Sequence, residues 1–111
     1  MKKTRIAALV LASAALTPAF AGDIPDLVQA KQCLSCHSVD KDGLAPSFRN
    51  IETKYKRIRQ AESIMVETIS RGSPLLPDGK HWGQMKMPGS GVRVPVSEIE
   101  ARQLVDWILA L

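Results

Sequence analysis

An all-α fold of four or so short helices is what this sequence predicts, and three observations carry the prediction. No run of alternating apolar and polar residues makes a convincing strand. Near the carboxy end, Ala101, Leu104, Val105, Ile108 and Leu109 recur with the spacing of one helix face. Stretches rich in proline and glycine separate the remaining helical segments.

The chain opens with Lys2, Lys3 and Arg5, an uncharged apolar run over 6–16, and the cleavage-site pattern Ala19-Phe20-Ala21. That order predicts an export signal over 1–21 and one mature domain over 22–111. An uncleaved membrane anchor is the competing reading, but the apolar run falls short of the ~20 residues that span a bilayer. The rest of the chain offers no second candidate, so no stable membrane insertion of the mature chain is expected. Three of the 15 basic residues and none of the 11 acidic ones lie in the leader, so the remainder carries only +1. A nucleic-acid footprint is therefore not supported.

Residues 23–32 are expected to form a short helix, with Asp23 as cap and Pro25 in the first turn. It leads into Cys33-Leu34-Ser35-Cys36-His37. On one helical turn, two thiols at that spacing can form thioethers to one porphyrin edge, with the next residue, His37, beneath the ring and a nitrogen toward the iron. A closed zinc site would need two further soft ligands, and after His37 only His81 remains, with no other cysteine. A redox dithiol would need a strand, helix, strand context that is missing. The motif thus predicts one covalently bound haem c, its iron ligated by His37. The motif's resemblance to haem-attachment sequences implies that, in bacteria, the attachment is completed outside the cytoplasm, so export to the periplasm fits the same reading.

Residues 38–47 carry Asp40, Asp42, Gly43 and Pro46 and read as a loop. A short helix over 48–57 follows, and the basic run Lys54, Lys56, Arg57 and Arg59 reads as a solvated helix end. Over 61–71, the pairs Ile64 with Thr68 and Met65 with Ile69 make a stripe that places Met65 in the core, and Gly72 ends the helix. Five glycines and four prolines exclude regular structure over most of 72–95, and so long a loop in so small a domain is usually functional. Ser97 then caps the last helix and Glu100 completes a capping box. The first helix is the expected partner of its apolar face, closing the chain ends over one haem edge.

A mature domain of about 90 residues buries little more than ~60% of its unfolded surface. With few aromatic side chains, the macrocycle would replace much of the core, so the chain without haem is expected to be largely unfolded. On the far side of the iron, the loop offers His81, Met85 and Met87. Pro88 disfavours helix at Met87 and stiffens the segment that would hold a thioether, yet spacing alone does not separate Met85 from Met87.

The whole mature chain resembles the small bacterial class I cytochromes c, monohaem and His/Met-ligated. The match lies in Cys33, Cys36, His37, Pro46, Gly72-Ser73, Trp82-Gly83, Met87-Pro88 and Trp107. The resemblance implies that fold, with its helices around one haem, and Met87 as the axial methionine, with Met85 a packing neighbour. It also implies that the Pro46 carbonyl orients the imidazole, that Trp82 donates to a haem propionate, and that Trp107 is a helix contact. The chain departs from the family at Val28 and Gln32 before the motif, and in a longer segment over 74–81 that could shield the haem edge or present Leu75 and Leu76 to a partner.

Histidine and methionine together imply a six-coordinate iron suited to electron transfer. No acid, base and nucleophile set around a substrate is recognisable, so no catalytic residues are expected. The reading is a soluble, monomeric electron carrier of the periplasm, not an enzyme. Redox protein partners would dock weakly at the haem edge through residues such as Leu34, Ser35 and Lys86. Its rivals are a dedicated cytochrome subunit of a periplasmic dehydrogenase or oxidase, and a haem protein whose Met87 yields to a gas or peroxide.

Overall fold

Pro25 does not sit inside the first helix. It is the N-cap of α1, which spans Asp26–Ala30 and has no side-chain cap. The computed structural model describes residue 14 and residues 25–74 and 82–111. The expected cap Asp23 and, residue 14 apart, the expected signal over 1–21 lie outside the described residues, as do His81, Leu75 and Leu76. The helix stops short of the expected limit at 32 because Gln32 takes the left-handed conformation, φ 56° and ψ 31°. That turn is costly for a side chain bearing a Cβ, and it swings the chain out of the helix. Cys33–Ser35 follow as a 3-10 turn, and the His37 N–H closes it on the Cys33 carbonyl at 3.0 Å.

The loop after the motif is folded by its own polar groups. The Ala45 N–H donates to the Cys36 carbonyl at 3.2 Å, and the Phe48 N–H to the Ser38 carbonyl at 3.0 Å. The Asp42 carboxylate accepts from the Ser47 N–H at 2.7 Å and from Asn50 Nδ2 at 2.9 Å. These bonds hold its carboxyl below the usual carboxylate range. Ser47 caps α2, Phe48–Tyr55, by accepting the Asn50 N–H at 3.2 Å. α2 ends two residues before the expected limit at 57, because the Ile58 N–H turns back to the Tyr55 carbonyl at 2.8 Å.

α3, Ala61–Arg71, ends at Gly72, and α4, Glu98–Leu109, begins at a capping box: Ser97 accepts from Glu100 N, and Glu100 accepts from Ser97 N. Between them, the described residues of the long loop form no regular structure. All regular structure among the described residues is helical.

The apolar face of α4 (Ala101, Leu104, Val105, Ile108) is fully or almost fully buried. Its principal partner is α3, through Met65, Val66 and Ile69, and not the first helix as the sequence suggested. α1 has only five residues and reaches α4 through the buried Val28. It is also tied to the start of α4 by Lys31 Nζ, which lies 2.9 Å from both Glu100 Oε2 and the Pro95 carbonyl. α2 joins the core through Phe48, whose ring meets that of Trp107 edge-on at 5.2 Å.

Candidate functional site

Between the amino-terminal motif and the long loop lies a cavity of about 380 Å³, within the ~300–1,000 Å³ range of cofactor sites. Cys33, Cys36, His37, Pro46, Trp82 and Met87 all line it. The helix α1 and the 3-10 turn deliver the two cysteines, both free thiols. Burial pushes the Cys33 thiol above its ordinary value.

His37 Nδ1 stands 2.7 Å from the Pro46 carbonyl. A carbonyl oxygen only accepts, so the Nδ1 carries the proton and Nε2 keeps its lone pair. Burial pulls the imidazole below its usual pKa, only partly offset by this hydrogen bond, and keeps the ring neutral. The Phe48 ring stacks on the imidazole, centroids 5.0 Å apart and planes at 18°. His37 is thus a neutral nitrogen donor held by a backbone acceptor and an aromatic face.

In the long loop, Met87 is partly buried, lines the cavity, and has its main chain bonded at both ends to one residue. The Ser73 N–H donates to the Met87 carbonyl at 3.0 Å, and the Met87 N–H donates to Ser73 Oγ at 3.3 Å. Gly72 permits this approach: a Cβ there would meet the Met87 carbonyl and the Gly89 nitrogen at 2.8 Å. Met85 lines the cavity too, but it is 52% exposed, so the two methionines left open by spacing differ in burial.

Trp82 stands at the mouth, about two-fifths exposed, with Lys54 Nζ 4.0 Å over its ring. Gly83, at φ 91°, lets this segment pass close to the Pro46 ring. Lys54, Lys56, Arg57 and Arg59 are all exposed, as expected of a solvated helix end; Lys54 also lies over Trp82, and Lys56 pairs with Glu52 of α2. Lys31, Lys54, Lys86 and Arg93 also line the cavity, and no aspartate or glutamate does among the described residues. Phe48 and Arg93 escaped the sequence reading, since neither belongs to a spaced motif and both meet the site through contacts distant in the chain. Trp107 lines the cavity too, with its Nε1 buried and unpaired among the described residues.

The chain as a whole is similar to proteins of one family. The family model for cytochrome c matches residues 23–111. The chain is similar to cytochrome c-551 of Stutzerimonas stutzeri, at 35% identity over 100% of this chain and 99% of that protein. The crystal structure of wild-type Nitrosomonas europaea cytochrome c552 superimposes with a TM-score of 0.63 at 33% identity, covering 76% of this chain and 94% of that one. The class 1 cytochrome MtoD of Sideroxydans lithotrophicus ES-1 gives a TM-score of 0.53 at 28% identity, covering 77% and 88%.

Proposed function

The chain belongs to the cytochrome c family, and from that premise we propose that Cys33 and Cys36 carry its haem through thioethers while His37 and Met87 ligate the iron. It is a small class I cytochrome with one haem c, and it serves as an electron carrier. The reading rests above all on one observation: a single cavity collects both thiols, a neutral imidazole with a free Nε2, and a thioether on a restrained segment.

The residues fit the group. A macrocycle with two carboxylates suits an apolar cavity whose charged lining, among the described residues, is cationic only. When bound, the haem supplies an iron that exchanges one electron, and a thioether ligand favours its ferrous form. The chain's own residues do the positioning. Pro46 and Phe48 fix the imidazole ring, so it need not reorient as charge changes. Ser73 fixes Met87 from both peptide groups, and Val28, Met65, Ile69 and Leu104 wall the cavity with buried apolar surface. Trp82 is assigned to a propionate, with Lys54 above its ring supplying positive charge at the same mouth.

Redox proteins are the partners, and docking is assigned to the exposed haem edge around Leu34, Ser35 and Lys86. No helix among the described residues is long and apolar enough to cross a membrane. The mature chain is assigned to the periplasm after cleavage of 1–21, as a monomer without catalytic residues of its own. The test is expression of the full chain in a bacterium that attaches haem in its periplasm. Support would be a purified protein beginning at Gly22, one haem mass on the peptide holding Cys33 and Cys36, and a reversible one-electron wave. Haem that washes off, or a wave lost after one cycle, would overturn the assignment.

A further inference from the structure

We propose that Arg93 is the positioning residue that clasps the Met87 segment to α3, and that this clasp sets how readily the methionine leaves the iron. The inference rests on Met87 being the axial ligand. Arg93 Nε donates to the Pro88 carbonyl at 2.7 Å, one peptide beyond Met87. Its Nη2 donates to the Ile69 carbonyl in the last turn of α3, and its Nη1 donates to the Val94 carbonyl at 3.2 Å. Arg93 lines the cavity beside Met87 and Pro88, and it pairs with no carboxylate among the described residues.

The last carbonyls of a helix have no partners within it, and a cation there also meets the negative end of the helix dipole. In α3, the Gly72 N–H takes the Thr68 carbonyl at 2.8 Å, while side chains of the methionine loop take the next two. Arg93 takes Ile69, and Ser90 Oγ takes Ser70 at 2.6 Å. The end of α3 is therefore finished by the loop that carries Met87. On the other side of Met87, Met85 and Lys86 are exposed residues at the edge of the cavity, and the Met85 N–H donates to the Leu44 carbonyl at 3.3 Å. Restraint on Met87 thus comes from Ser73 and from the Pro88 peptide, and Arg93 is what ties that peptide to a helix. A planar guanidinium can serve two carbonyls from fixed directions; a lysine ammonium on a flexible stem keeps the charge but not the fork.

The test compares the haem-loaded protein with Arg93→Lys and Arg93→Met. Two readouts are used: the far-red absorption band of a thioether on ferric iron, followed with rising pH, and the affinity of the ferric iron for added imidazole. Losing the fork raises the fraction of molecules with Met87 displaced, and apparent affinity follows that fraction. Both variants are expected to bind imidazole about tenfold more tightly, the scale of one charged hydrogen bond, and to lose the band at lower pH. Wild-type behaviour in Arg93→Lys would overturn the clasp, leaving at most an effect of charge. Lowered resistance to denaturant with both readouts unchanged would also overturn it, since the role would then be structural only. Should Arg93→Met fail to load haem, Arg93→Lys decides. Met87→Ala is the control: if the band is absent from the wild type or survives in this variant, the ligand assignment itself falls, and the clasp with it.

Discussion

Gly72→Ala is expected to damage the fold and the methionine side of the site together. Gly72 lies at φ 92° and ψ 168°, a backbone region essentially reserved for glycine, where any other residue costs ~1–3 kcal/mol. The added methyl would also stand 2.8 Å from the Met87 carbonyl and the Gly89 nitrogen, and 3.0 Å from the Pro88 carbonyl carbon. These are backbone atoms that cannot rotate away, so the overlap adds ~1–3 kcal/mol, as overpacking does. The sum, about 2–6 kcal/mol, is a large share of the ~5–15 kcal/mol that holds a domain of this kind. The loop must yield, because Ser73 brackets Met87 from the neighbouring position. Denaturant unfolding of the haem-loaded variant should therefore give a lower midpoint, and its ferric spectrum a weakened thioether band. A variant within 0.5 kcal/mol of wild type by the usual surface standard of about that size, with its band intact, would refute the packing argument.

Three further outcomes follow from the same structure. Val105→Ala empties a fully buried position on α4; a loss of about 2 kcal/mol, and a melting temperature lower by roughly 8–16 °C, is expected by calorimetry, and no change would mean that the α3 and α4 contact is misplaced. The Glu100 carboxyl is held below its ordinary value by the Ser97 N–H and then by Lys31, so its stabilisation is full above about pH 4.5 and lost as pH falls through its lower folded value; Glu100→Gln is expected to flatten the acid limb of a stability profile, and an unchanged limb would count against it. The chain prepared without haem is expected to lose most of its helical circular dichroism, since the core side chains Met65, Ile69 and Leu104 also line the cavity; a native-like spectrum would contradict this.

What the sequence made legible depended on local rules. α4 was readable because its apolar period and capping box act within a few residues, and α3 because Gly72 marks its end. The boundaries of α1 and α2 moved inward because a left-handed Gln32 and a tight turn at Ile58 leave no compositional trace. The partner of α4 was not legible, since which faces meet is decided by the whole chain; α1 proved too short to cover it. In the site, the two thiols and His37 form one short motif, and Pro46 and Trp82 entered through a family pattern. Phe48 against His37, Lys54 over Trp82 and Arg93 on α3 could not be read, because each contact joins segments distant in the chain or lacks a recurring spacing.

The central claim is that Met87 closes the iron against outside ligands and so makes the haem an electron carrier. Carbon monoxide binding and reduction potential, measured side by side on the haem-loaded ferrous wild type and on Met87→Ala, test it most directly. The account predicts that the wild type resists carbon monoxide, while the variant binds it readily and shows a lower potential. Rapid binding to the wild type, or an unchanged potential and spectrum in the variant, would contradict it.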